Sequence, residues 1–174
     1  MKRWLAIAPL LVLAALAALF VARLRSGKDT QYVPTATVGR PMPDATLPAL
    51  ATGAPTRLSS QVKPATLVNF FASWCGPCIQ EAPTLMALKA QGVRIVGVAW
   101  KDDPEATKAM LAKYGNPYVS VLVDRPGNTG LDFGVTGVPE TYAIGAGGRI
   151  LTKEALPLNA ASAERLLEAA DNAR

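Results

Sequence analysis

The stretch Trp74-Cys75-Gly76-Pro77-Cys78 contains both cysteines of the chain, separated by two residues. The apolar run of residues 65–71 precedes it and predicts a strand, and apolar residues at helical spacing follow it over residues 75–90. Two thiols on the first turn of a helix are close enough to form a disulfide. We therefore predict a redox disulfide on a strand-to-helix turn.

The positions of the two cysteines predict different roles for them. Cys75 would lie at the helix N-terminus, where free backbone N–H groups and the positive end of the helix dipole stabilise a thiolate. Cys78 would lie one turn further in and be more shielded, which suits it to resolve the mixed disulfide that Cys75 forms. Pro77 costs the helix little there, because first-turn N–H groups lack helical partners. Cys75 is the predicted nucleophile and Cys78 the predicted resolving thiol.

Three other interpretations of the cysteine pair stay open at this point. A structural disulfide would close a very short loop and stabilise the fold little. A zinc site takes about four Cys or His ligands as a rule, and the chain has no histidine and no third cysteine. Two inert core cysteines are the last alternative. We expect no metal and no cofactor.

Composition limits the class of protein. The chain has 174 residues, half of them hydrophobic, and a formal charge of +5. This length suits one domain with an additional segment. No dense block of Lys and Arg with interleaved aromatic residues is present, so nucleic-acid binding is not expected.

The N-terminal segment predicts a membrane anchor. Residues 5–22 form an uncharged apolar run with basic residues on both sides, and about 18 apolar residues is near the minimum for a transmembrane helix. A cleaved signal peptide is the alternative, but the small-x-small site Ala15-Leu16-Ala17 lies inside the run instead of after it. We predict a cytoplasmic N-terminus (1–4), an uncleaved transmembrane anchor (5–22), a linker (23–38) and a globular domain (39–174).

The rest of the chain predicts a mixed α/β sheet. A strand over residues 93–100 follows the helix over 75–90, so it should lie parallel to the strand over 65–71. Parallel strands, a terminal antiparallel hairpin and a closing helix together describe a mixed central sheet with helices on both faces. The other predicted elements are a short hairpin (45–50 and 56–58), a helical turn (58–61), a helix N-capped by Asp103 (to 114), a strand (120–124), a helical turn (129–133), the antiparallel hairpin (140–144 and 149–153) and the closing helix (160–170).

With Cys-x-x-Cys on the first strand-helix turn, the sequence resembles the thioredoxin fold over about residues 47–170. The resemblance implies a cis Pro139 that packs against the active disulfide. It also implies that Val138 offers its backbone to an extended substrate segment beside Cys75. Trp74, Gly76 and Pro77 complete the implied active-site support, and Asn69 stands where thioredoxins carry a buried aspartate.

Two carboxylates are further candidates for the site. Glu81 lies one turn beyond Cys78 on the predicted helix, and Glu140 adjoins Pro139. If both approach the disulfide, their negative charge should raise the pKa of the thiols and influence the choice of partner. The alternative for each is a solvated surface carboxylate.

Four shorter strings narrow the resemblance. They are Pro43-Asp-Ala-Thr-Leu-Pro-Ala-Leu50, Trp100-Lys-Asp-Asp103, Gly115-Asn-Pro-Tyr118 and Gly137-Val-Pro-Glu-Thr141. Together with the predicted anchor, these strings make the sequence similar to the DsbE/CcmG family. Members of that family are membrane-tethered periplasmic reductants of cytochrome c maturation. The dipeptide Gly76-Pro77 departs from the Pro-Thr that many members carry.

The resemblance implies a function and a set of partners. The protein would reduce a disulfide in apocytochrome c or in the haem-ligation partner, so that haem can attach to free thiols. A DsbD/CcdA-type inner-membrane donor would reduce the pair again. The implied location is the inner membrane, with a single pass and the globular domain in the periplasm. Alternatives are a general envelope reductase, a peroxiredoxin-like peroxidase and a non-redox binding module.

Overall fold

The computed structural model describes residues 2–25 and 37–171. They fall into two units, contained in residues 1–33 and 34–174. The first unit contains helix α1, Lys2–Arg25. Among the described residues, no helix combines the length and the apolar character needed to cross a bilayer, so the transmembrane helix predicted for residues 5–22 is not confirmed. Most of the predicted linker, residues 26–36, lies outside the described residues.

The second unit is built on a five-stranded mixed sheet in the order β5-β4-β3-β6-β7. Strands β3, β4 and β5 are parallel, and β6 and β7 are antiparallel to their neighbours. Helices connect the parallel strands because a parallel pair requires a crossover. The strand bounds are Thr66–Phe71 (β3), Arg94–Trp100 (β4), Ser120–Asp124 (β5), Glu140–Ile144 (β6) and Ile150–Glu154 (β7).

Helices cover both faces of this sheet. One buried cluster joins the sheet to helices α3, α4 and α6, and a second cluster on the other face joins it to α2 and α5. Every residue of β3 and β6 is buried. Because side chains alternate between the two faces along a strand, both faces of the sheet must pack against other parts of the domain. The helix bounds are Leu58–Gln61 (α2), Gly76–Ala90 (α3), Pro104–Tyr114 (α4), Asn128–Phe133 (α5) and Ala160–Asp171 (α6).

Short backbone segments cover the two edges of the sheet. The hairpin of β1 (Thr46–Pro48) and β2 (Pro55–Arg57) reaches the β5 edge, where the Leu50 N–H donates to the carbonyl of Val121 at 2.8 Å. At the β7 edge, the Gly39 N–H donates to the carbonyl of Ile150 at 2.8 Å. These contacts occupy part of each edge, at Val121 on β5 and at Ile150 on β7.

The sequence-based assignment of this domain is confirmed at the level of fold class and element type. The predicted mixed sheet and its helices on both faces are present, and the predicted elements match observed ones to within a few residues. The N-cap of α4 is also confirmed, because the Asp103 carboxylate accepts hydrogen bonds from the N–H groups of Glu105 and Ala106.

Candidate active site

Cys75 and Cys78 form a disulfide at the start of α3, with their Cα atoms 5.3 Å apart. Cys75 is the N-cap residue, and its Sγ accepts a hydrogen bond from the Cys78 N–H at 3.1 Å. A sulfur in this position faces the unpaired N–H groups and the positive end of the helix dipole. The exposed fractions are 4% for Cys75 and 2% for Cys78, so both cysteines are largely covered.

The residues around the disulfide are exposed by comparison. Trp74 is 60% exposed, and its indole N–H donates to the carbonyl of Lys101 at 3.2 Å. Gly76 and Pro77 are also exposed. The disulfide therefore lies just below a surface formed by the residues that flank it in sequence.

The segment before β6 approaches the disulfide from the other side. The Val138–Pro139 peptide bond is cis, and the Val138 carbonyl oxygen lies 3.4 Å from Cys75 Sγ. Val138 is half-buried and Pro139 is buried. The structure thus brings Cys75 together with the Val138–Pro139 pair, which follows it by more than 60 residues in the sequence.

A buried polar cluster lies behind the disulfide, on the α3 face of the sheet. The Asn69 amide donates to Glu81 Oε1 at 3.0 Å and to Thr141 Oγ1 at 2.9 Å. Asn69 Oδ1 accepts from the Tyr118 hydroxyl at 2.7 Å, and Glu81 Oε2 accepts from the Leu158 N–H at 2.9 Å. Both polar atoms of the Asn69 side chain therefore form hydrogen bonds within this cluster.

Gly97 makes room for the cluster. It pairs with Asn69 across β3 and β4, on the same face of the sheet. A Cβ atom at Gly97 would lie 2.9 Å from atoms of the Phe71 and Tyr118 rings, which stack with centroids 4.7 Å apart. The absence of a side chain at residue 97 is what lets Tyr118 reach Asn69.

Glu81 is the titratable group of this cluster. It is 1% exposed, and this burial raises its pKa to about 7, against the hydrogen bonds from Leu158 and Asn69, which lower it. Cys78 and Glu81 are three residues apart on α3 and so lie on the same side of the helix. The site contains a carboxyl group that can take up or release a proton near neutral pH, one turn from a cysteine.

Glu140 lies on the opposite face of the sheet. Its Oε1 accepts from the N–H and the hydroxyl of Thr136, and its Oε2 accepts from the Tyr142 hydroxyl at 2.8 Å and from Lys153 Nζ at 3.0 Å. Burial alone would raise the pKa of Glu140, but these hydrogen bonds outweigh it and hold the pKa below its usual value. Glu140 is therefore the anionic half of a buried ion pair.

Of the two candidate carboxylates, Glu140 lies on neither the disulfide side of the sheet nor the solvated surface. Side chains alternate along a strand, and in β6 it is Thr141 that faces α3 and contacts the Asn69 amide. Glu140 and Tyr142 point to the other side, where Tyr142 belongs to the second buried cluster. Because every residue of 140–144 is buried, the sequence of this strand does not show which face Glu140 takes.

Other functional candidates were missed from the sequence alone. Tyr118 and Lys153 are both buried. Tyr118 donates to the side-chain oxygen of Asn69, the partner of Glu81, and Lys153 donates to Glu140 on the opposite face of the sheet. In the sequence, Tyr118 belongs only to the string of residues 115–118, and Lys153 only to the end of a predicted strand. Among residues 2–25 and 37–171, no group of three or more His, Cys, Asp or Glu residues is placed to hold a metal ion.

Comparison with known proteins identifies the family. Residues 37–167 match the family model described as Redoxin. The thiol:disulfide interchange protein HelX of Rhodobacter capsulatus is 44% identical over 131 residues, which cover 75% of this chain and 74% of HelX. The thiol:disulfide interchange protein DsbE of Escherichia coli K12 is 38% identical over 165 residues, which cover 91% of this chain and 89% of DsbE. This chain belongs to the DsbE family.

Solved structures agree with the assignment of this DsbE-family protein to the thioredoxin fold. A thiol:disulfide interchange protein of the thioredoxin family from Chlorobium tepidum is similar with a TM-score of 0.62 and 26% identity, over 75% of this chain and 94% of that one. A secreted Mycobacterium tuberculosis disulfide oxidoreductase, described as homologous to E. coli DsbE, has a TM-score of 0.61 and 27% identity, over 74% and 95%. With its Cys75–Cys78 pair on this fold, the protein is a thiol-disulfide oxidoreductase.

Proposed function

We propose that this DsbE-family protein reduces a disulfide of apocytochrome c, or of the haem-ligation protein that handles it. The observation that carries the proposal is the position of the Cys75–Cys78 disulfide at the N-terminus of α3, directly beside the Val138 carbonyl. The similarity to DsbE and HelX, both named as thiol:disulfide interchange proteins, supports the reaction class. The resemblance of the four strings to the DsbE/CcmG family supports the proposed substrate.

The proposed reaction starts from the reduced protein. The Cys75 thiolate attacks one sulfur of the partner disulfide, which forms a mixed disulfide and releases the other partner sulfur as a thiolate that takes up a proton. Cys78 then loses its proton and attacks Cys75 Sγ, which breaks the mixed disulfide and releases the second partner thiol. The Cys75–Cys78 disulfide remains, so two electrons have moved to the partner. A DsbD/CcdA-type donor would restore the two thiols.

The positions of the two cysteines support this division of roles. A thiolate at Cys75 would be stabilised by the N-terminal N–H groups of α3 and by the helix dipole. Glu81 is the group we propose as proton acceptor for Cys78, because burial brings its pKa to about 7 and it follows Cys78 by one turn of α3. Val138 would present its backbone to an extended segment of the partner.

The proposed location is the periplasm. Thiols there are otherwise oxidised, so a dedicated reductant is needed wherever haem must attach to a pair of free cysteines. A cysteine-reactive probe that cannot cross the inner membrane should label the reduced protein in intact spheroplasts. Labelling only after lysis would contradict a periplasmic domain.

A trapping experiment tests the proposed substrate. In the full chain, Cys78→Ala removes the resolving thiol, so the partner should stay covalently bound to Cys75. The matched control is Cys75→Ala, which keeps one thiol in the same turn but removes the proposed nucleophile. Non-reducing gels and mass spectrometry should identify apocytochrome c or a haem-ligation protein only with Cys78→Ala. A broad mixture of envelope proteins would instead show a general reductase, and adducts of equal yield in both variants would contradict the assigned roles.

A further inference from the structure

The turn that presents Cys75 is held by the connection between β4 and α4. The Cys75 N–H donates to the Ala72 carbonyl at 3.2 Å and closes the turn around Ser73 and Trp74. Each of these two central residues bonds to that connection. The Trp74 indole N–H donates to the Lys101 carbonyl. The N–H and the hydroxyl of Ser73 donate to the carboxylate of Asp102.

Asp102 is a buried carboxylate whose two oxygens are fully used. Its exposed fraction is 4%. Oδ1 accepts from the Ser73 hydroxyl at 2.7 Å and from the Asp103 N–H at 2.9 Å. Oδ2 accepts from the Ser73 N–H at 2.7 Å and from the Thr107 hydroxyl at 2.7 Å. Hydrogen bonds to an ionised carboxylate are short and strong, so the carboxylate fixes Ser73 through both its backbone and its side chain.

A role limited to starting helix α4 would not explain these contacts. Helix α4 already has its own cap, because Asp103 Oδ1 accepts from the N–H groups of Glu105 and Ala106. Two of the four donors to Asp102 belong to Ser73, 29 residues earlier in the chain. The carboxylate therefore connects α4 to the turn before the disulfide.

We propose that Asp102 is a positioning residue for thiol-disulfide exchange, acting through Ser73 to fix the orientation of Trp74 and Cys75. This inference rests on the proposed function. Asp102 does not touch the reacting sulfur atoms. It holds the turn at the position where Cys75 caps α3 and its Sγ lies beside the Val138 carbonyl. A looser turn would lose the cap that stabilises the thiolate and would move the exposed Trp74 ring away from the partner.

A matched pair of variants tests this role. Ser73→Ala and Thr107→Val each remove one hydroxyl that donates to Asp102 at 2.7 Å, the first on the cysteine turn and the second on α4. Two quantities are measured in the full chain: the rate of exchange with a synthetic peptide disulfide, and the alkylation rate of Cys75 in the reduced protein against pH. Thermal unfolding of the same samples gives the loss of stability in each variant.

We expect Ser73→Ala to slow exchange about tenfold, and to move the alkylation midpoint to higher pH because Cys75 caps α3 less well. Thr107→Val should slow exchange clearly less than Ser73→Ala, because it leaves both hydrogen bonds between Ser73 and Asp102 in place. Ser73→Thr, which keeps the hydroxyl, should restore the rate. Equal effects of Ser73→Ala and Thr107→Val would overturn the inference.

A second variant, Asp102→Asn, tests the same contacts. If Ser73→Ala does not fold, Asp102→Asn replaces it, because an amide group can accept from only part of the same four donors. The same slowing is expected, and an unchanged rate would overturn the inference. If the unchanged protein does not exchange with the peptide disulfide, the proposed function fails. The alkylation profiles of the two hydroxyl variants then still decide whether Asp102 positions Cys75.

Discussion

Replacing Glu81 by Gln should remove a pH dependence of folding stability that the buried carboxyl group imposes. Burial raises the pKa of Glu81 from 4.5 to about 7 in the folded protein. The folded state then binds the proton more tightly than the unfolded state. The stabilising contribution of protonated Glu81 is complete below pH 4.5 and is lost as the pH rises to about 7.

The size of the effect follows from the same two pKa values. The interval from 4.5 to about 7, at about 1.4 kcal/mol for each pH unit, corresponds to about 3 kcal/mol. The free energy of unfolding should therefore fall by about 3 kcal/mol more between pH 4.5 and 8 in the unchanged protein than in Glu81→Gln. The Gln side chain should also lower the free energy of unfolding by an amount that does not vary with pH, because its amide N–H can face the Leu158 N–H. That constant does not alter the slope.

Denaturant unfolding of the oxidised protein at several pH values measures this difference. The disulfide prevents either cysteine from titrating, so the thiols do not contribute to the slope. Glu164→Gln removes an exposed carboxylate from α6 and gives the effect of losing one negative charge. A stability difference between Glu81→Gln and the unchanged protein that stays constant from pH 4.5 to 8 would refute the reasoning.

Three further single variants and one double variant test the contacts around the site by denaturant unfolding. Tyr118→Phe leaves the buried side-chain oxygen of Asn69 without its donor at 2.7 Å and should destabilise the fold by about 1–3 kcal/mol. An unchanged stability would mean that water replaces the hydroxyl. Glu140→Gln leaves the buried ammonium of Lys153 without its carboxylate and should cost about 3–5 kcal/mol. Adding Lys153→Met should recover most of that loss, and a purely additive double variant would contradict the ion pair. Gly97→Ala places a methyl group 2.9 Å from two aromatic rings and should cost about 1–3 kcal/mol, whereas an unchanged midpoint would show that the rings can shift.

Local patterns were enough to predict the framework of the domain. Two continuous apolar runs predicted β3 and β4, and apolar residues at helical spacing between them predicted α3. The parallel pairing of the two strands followed from the helix that connects them. Asp103 followed by Pro104 predicted the start of α4, because capping and a proline at the first helical position are properties of neighbouring residues. These features depend on short stretches, which a sequence shows directly.

The arrangement of the site was harder to predict, because it depends on residues far apart in the chain. Asp102 and Ser73 are 29 residues apart, and Tyr118 and Asn69 are 49 apart. Nothing in the local pattern of either pair indicates the contact. Glu140 is a candidate for the site because it follows Pro139, but the direction of its side chain depends on the register of β6 and not on its sequence neighbour.

The central claim is that Cys75 and Cys78 carry two electrons to a protein disulfide. The most direct measurement mixes the fully reduced protein with an equimolar oxidised peptide containing the Cys-x-x-Cys-His sequence of a haem-attachment site. Samples are quenched with an alkylating reagent at successive times, and mass spectrometry counts the free thiols on each molecule. We expect thiols to disappear from the protein and to appear on the peptide at the same rate, and we expect Cys75→Ser to abolish the transfer. Transfer at an undiminished rate in Cys75→Ser, or a peptide that stays oxidised with the unchanged protein, would contradict it.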